Sequence, residues 1–149
     1  MVSVQALANT ILRMGNEENI SISPMKLQKL MYFVCAEYAR RTGETLISES
    51  FCVWQYGPVL TSIYDEFKSF HGNPIDRYAK NSDGKSYALN RHSLEDVYDV
   101  IDDIWNEYSG FTAMELSRRT HTDGSGWSRA YERHSSVITL NDMIEDDTF

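Results

Sequence analysis

The sequence predicts a mainly α-helical, single-domain protein with a small two-stranded antiparallel β element. Three observations lead there. Apolar residues recur at helical spacing over several stretches, Ser/Thr and Pro/Gly stand where helices start and stop, and β-forming residues cluster in one short run, Phe51 to Tyr56. At 149 residues the chain has the length of one domain, and 42% hydrophobic residues suffice for a core. No repeat, low-complexity tract or linker interrupts residues 1–149, which read as one unit.

The elements follow in order. Ser3 to Met14 forms a first helix with Leu7, Ile11 and Met14 on one face, ended by Gly15. Ser23 caps a second helix and Pro24 takes its first position, where a missing N–H costs nothing. Its stripe is Leu27, Leu30, Met31, Val34, Cys35 and Tyr38. Arg40 and Arg41 suit its C-terminal dipole, and Gly43 stops it. The run 51–56 is a strand. Gly57-Pro58 breaks it and opens a third helix with Leu60, Ile63, Tyr64, Phe67 and Phe70 inward, up to Gly72-Asn73-Pro74. Ser86 to Leu89 reads as a second short strand paired with 51–56. Ser93 with Asp96 is a capping-box variant for a fourth helix to Tyr108. Thr112 caps a fifth helix to about His121. A turn at 122–126, a short helix 127–134 and a last helix 139–144 complete the chain.

Charge bounds the function. The net charge of −8 and a pI near 4.9 disfavour nucleic acid as a partner and favour a basic protein. Glu95, Asp96, Asp99, Asp102, Asp103 and Glu107 make the fourth helix either a solvated acidic face or a docking face. Asp142, Glu145, Asp146 and Asp147 carry the same two readings. Cys35 and Cys52 read as reduced, buried thiols. Met1 to Gly15 reads as an amphipathic helix and not a leader, and no apolar run reaches membrane-spanning length. The expected location is the cytoplasm.

Catalytic signatures are absent. The histidines at 71, 92, 121 and 134 lack a helical metal-pair spacing, no phosphate-binding glycine loop occurs, and the acidic residues do not single out an acid–base pair. No metal, cofactor or enzymatic activity is expected. A basic cluster of Arg118, Arg119, Arg129 and Arg133 within residues 112–133 leaves a DNA-binding regulator as an alternative, with pairing to the acidic fourth helix as its competing explanation.

More specific is the run Ser23-Pro24-Met25-Lys26-Leu27-Gln28-Lys29-Leu30-Met31-Tyr32-Phe33. It is followed by Trp54-Gln55-Tyr56-Gly57-Pro58-Val59 with Ile63-Tyr64, then Glu115-Leu116-Ser117, Thr120-His121 and Trp127. These three motifs in this order resemble the Panacea domain family of SocA-like antitoxins and phage-associated GepA-like proteins, over roughly residues 5–145. Where the family pattern has Pro before the late tryptophan, this chain has Gly126. The resemblance implies a helical antitoxin that neutralises a cognate toxin protein by direct contact. A variant implication is an adaptor that delivers the toxin to an ATP-dependent protease.

The residues themselves point to candidate contact positions. Pro58 fixes φ and Gly57 permits backbone angles closed to other residues, so the Tyr56-Gly57-Pro58 break aims Trp54 and Tyr56. They form either a core corner or part of an aromatic groove, with Tyr64 nearby. Lys26, Gln28, Lys29 and Tyr32 are expected along the polar edge of the second helix as a contact patch. His121 and Trp127 form a corner that reads first as structural.

Overall fold

The computed structural model describes residues 1–149. Seven helices and one hairpin follow in order: α1 (Val4–Glu18), α2 (Pro24–Thr42), β1 (Cys52–Trp54), β2 (Gly57–Val59), α3 (Thr61–Phe67), α4 (Glu95–Tyr108), α5 (Ala113–Thr120), α6 (Gly126–Glu132) and α7 (Leu140–Ile144). One cluster of 36 buried apolar residues draws on nearly all of them.

The organising element is α2. Ser23 Oγ accepts from the Lys26 amide at 3.3 Å, Pro24 occupies the first turn, and Gly43 closes the helix at φ 74°. α2 packs against α1, α3, α4, α5, α7 and β2. Every residue from Lys26 to Ala36 is therefore buried, polar ones included. A one-sided apolar stripe describes a surface helix, whereas this helix is central.

α1 begins under a Ser3 cap and runs through Gly15 to Glu18, longer than the sequence suggests. A single glycine weakens a helix without ending it, and the turn comes at Asn19 in the left-handed region. Its buried Asn9 and Thr10 organise the long connection between α3 and α4. Asn9 donates to the carbonyls of Ala79 (3.0 Å) and Tyr87 (2.8 Å) and accepts from the Ala79 amide, while Thr10 Oγ1 accepts from the Leu89 amide. With these side chains satisfying its backbone, the segment 86–89 is no strand, contrary to expectation.

The strand partner is instead Gly57–Val59. β1 and β2 pair antiparallel with Cys52 opposite Val59, Val53 opposite Pro58 and Trp54 opposite Gly57. Thus Gly57-Pro58 continues the hairpin and does not open α3, which starts after Leu60. The outer edge of β1 receives the segment 136–138: the Val53 amide donates to Ser136 O at 3.0 Å and the Ile138 amide to Phe51 O at 2.9 Å. Pro58, without an N–H, sits on the strand that lacks a further neighbour.

Three further expectations change in detail. Ser93 does not cap α4, because it lies in a turn built on Asn90, and α4 starts at Glu95. Tyr64 points outward and not into the core. Cys35 is buried but Cys52 only partly so, and both thiols are free. α5 and α7 start with complete capping boxes, Thr112 with Glu115 and Thr139 with Asp142. No helix is long and apolar enough to cross a membrane.

Candidate functional site

The hairpin corner is held by its backbone and shows its side chains. Its carbonyls are taken up one after another by side chains from three helices. Trp127 Nε1 on α6 donates to Trp54 O at 2.8 Å, His121 Nε2 lies 2.8 Å from Gln55 O, and Ser117 Oγ on α5 donates to Tyr56 O at 3.2 Å. From α2, Lys29 Nζ donates to Pro58 O at 3.2 Å and Gln28 Nε2 to Leu60 O at 2.9 Å. Gln28 Oε1 also accepts from the Leu60 amide at 2.9 Å, so a single side-chain amide grips both backbone groups of one residue.

Gly57 has φ 110°, and a Cβ there would stand 2.8 Å from Thr120 Oγ1 and 3.0 Å from Lys29 Nζ. Both the backbone conformation and the close approach demand glycine. The outcome is a rigid turn from which Trp54, Tyr56 and Tyr64 project, at 38%, 63% and 42% exposure. Trp54 meets Tyr64 edge-on with ring centroids 4.9 Å apart. On the adjoining face Trp127 stacks on Tyr131 at 5.0 Å and packs against His121 at 4.3 Å. His121 is fixed from its other side too, with Nδ1 2.7 Å from Ser117 O.

The structure therefore divides the expected contact residues. Trp54, Tyr56 and Tyr64 are displayed, with Gly57 and Pro58 beneath them. His121 and Trp127 buttress the turn. Lys26, Gln28, Lys29 and Tyr32 do not form an exposed edge, which corrects the expectation for α2. Lys26 Nζ donates to Ser109 O, and Tyr32 Oη donates to Asp146 Oδ2 at 2.7 Å. Burial of a polar side chain is tolerable only with such partners. Burial lowers the Lys26 pKa against the opposing pull of Glu115, and burial alone brings Lys29 down to about 7. Tyr32 is pushed well above the usual phenol value, first by burial and then by the Asp146 carboxylate.

Sequence reasoning missed Asp146. It reads as part of a solvated acidic tail, yet it is 1% exposed and accepts from Tyr32, the Gly126 amide (2.9 Å) and Thr148. Asp142 is buried as well, paired with Arg133 at 2.6 Å. No periodic signal marks these positions, because the chain end docks by tertiary packing. Phe149 lies 4.4 Å from Phe33, and Arg40 stacks over Phe149. A side chain at Gly126 would stand 2.2 Å from Tyr32 Oη. Its backbone N–H donates a hydrogen bond to Asp146 that proline could not make.

Two of the four arginines in the basic cluster at 112–133 are neutralised within the chain. Arg129 pairs with Glu145 at 3.0 Å and Arg133 with Asp142, while Arg119 lies over Phe111 and Tyr108. Its acidic partners sit in and just after α7 and not on α4. Burial pushes the Cys35 thiol up, far from the reactive thiolate. No three His, Cys, Asp or Glu side chains stand close enough to hold a metal ion. Acidic α4 keeps an exposed face at Glu95, Asp96, Asp99 and Glu107, while Asp102 and Asp103 pair with Arg91 and Arg41.

A helical body carrying a backbone-clamped turn with outward aromatics has the features of a protein-binding module. The chain belongs to the family of SocA-like antitoxins with a Panacea domain, whose family model matches residues 27–128. It is 26% identical over 129 residues to "Antitoxin SocA" of Caulobacter vibrioides (strain NA1000 / CB15N), covering 85% of this chain and 69% of that protein. No solved structure matches it.

Proposed function

We propose that this protein neutralises a cognate toxin protein by direct binding, and that the corner formed by Trp54, Tyr56 and Tyr64 is the toxin-facing surface. Membership of an antitoxin family supports the role. The observation that carries the surface is the inversion at the hairpin: its backbone polar groups are bound internally while its large aromatics are exposed. Aromatic side chains offer much contact area for few frozen rotamers, and a rigid turn avoids an ordering cost on binding. Gln28, His121 and Trp127 support this surface from behind, with Gly57 and Pro58 setting its angle.

The test is co-expression with the product of the adjacent reading frame. That product arrests growth alone, growth returns when this chain is supplied, and the two purify as a complex. A neighbour that is harmless by itself and leaves no complex removes the reading.

A further inference from the structure

Beside the displayed aromatics lies an open groove of about 230 Å³ between the start of α2, the hairpin and α3, with Lys29 among its lining residues. We propose that this groove receives an acidic side chain of the toxin, Asp or Glu next to an apolar residue, whose carboxylate pairs with Lys29 while the apolar neighbour packs on Trp54 and Tyr64. The proposal rests on the antitoxin reading and specifies what the antitoxin recognises.

Charge is the first argument. The chain has 22 acidic against 14 basic residues, yet no Asp or Glu lines this groove, whereas Lys29, Lys68 and His71 do. On a protein that is acidic overall, a carboxylate-free groove bearing cations complements an acidic group. Lys68 also contacts Asp65 at 3.6 Å, on the exposed side of α3.

Lys29 is the second argument. It is 1% exposed and its ammonium carries three donors, but within the chain it meets a single acceptor, Pro58 O. It makes no ion pair, and burial alone accounts for its lowered basicity, to about 7. An ammonium held in this way costs the free protein stability, and a partner carboxylate would supply the missing counter-charge. Trp54 and Tyr64, edge to face at 4.9 Å, give an apolar neighbour of that carboxylate its own contact and exclude water from the pair.

Two measurements decide it. The first titrates the full chain with 3-phenylpropionate and with its neutral amide, 3-phenylpropionamide, following NMR shifts of the Trp54 indole and the Lys29 side chain. The acid binds about tenfold more tightly than the amide, and Lys29→Met removes the preference. Equal binding of acid and amide, or no saturable shift with either, overturns the proposal. The second compares toxin binding by wild type and Lys29→Met. The variant folds as wild type does by circular dichroism and loses about tenfold or more in affinity. A variant that binds as tightly as wild type overturns the groove proposal and leaves the antitoxin reading standing. A toxin that wild type itself does not bind removes the antitoxin reading, and the acid–amide comparison still decides the groove.

Discussion

The Tyr32 hydroxyl donates to Oδ2 of Asp146 at 2.7 Å, joining the middle of the central helix to a residue 114 positions later. The same oxygen accepts the Gly126 amide at 2.9 Å, and Oδ1 accepts the Thr148 amide at 3.0 Å. One buried carboxylate thus ties α2, the start of α6 and the chain end together. The α6 helix it fixes carries Trp127, which holds the hairpin turn.

Breaking this node destabilises the protein. Tyr32→Phe leaves a buried carboxylate short of a donor and costs about 2 kcal/mol in urea unfolding. Gly126→Ala drives a methyl group against Tyr32 Oη and costs about 2–3 kcal/mol. The cost is smaller in the Tyr32→Phe background, where the oxygen is gone, and a double-mutant cycle measures that coupling.

Displayed and supporting residues separate on different axes. Trp54→Ala, Tyr56→Ala and Tyr64→Ala each leave stability within about 1 kcal/mol, because these side chains are exposed. Under the proposed function at least one of them weakens toxin binding by about 2 kcal/mol or more in calorimetry. Gln28→Leu does the reverse in order of cause: it strips both backbone groups of Leu60 of their partner, lowers stability by about 2 kcal/mol, and affects binding only through that loss.

The pH dependence carries the mark of Lys29. Its pKa falls from 10.5 in the unfolded chain to about 7 in the folded protein. Between those values the unfolded state holds the extra proton, so this residue makes stability rise with pH, by up to about 1.4 kcal/mol per unit. Below pH 7 the full penalty of the buried ammonium applies. Chemical denaturation of wild type and Lys29→Met between pH 6 and about 10 yields a difference whose slope belongs to Lys29, and a flat difference contradicts the assignment.

Acid acts through the other end of the molecule. Burial opposes ionisation of Asp142, but hydrogen bonds from Arg133 and Thr139 outweigh it and hold the carboxyl below its ordinary 3.8. A depressed carboxylate pKa contributes stability that is present above 3.8 and disappears as pH falls through the folded value. Arg133→Ala is therefore less stable than wild type at neutral pH, and the two converge toward about pH 2 in acid titrations followed by circular dichroism.

Residue patterning determined the helices, most of their caps and the strand within 51–56, because these depend on neighbours within a few positions. Ser23 and Pro24, Thr112 with Glu115, and Gly43 each act over one turn. The motifs at 23–33, 54–59 and 115–127 sufficed for the family resemblance. What tertiary structure alone decided is which way each polar residue faces. With neighbours on most sides, α2 has no solvent edge between Lys26 and Ala36, so Lys26, Gln28, Lys29 and Tyr32 turn to the carbonyls of Ser109, Leu60 and Pro58 and to Asp146. The burial of Asp146 has the same origin. A buried polar group takes whichever partner packing brings within reach, and that partner lies tens of residues away in sequence.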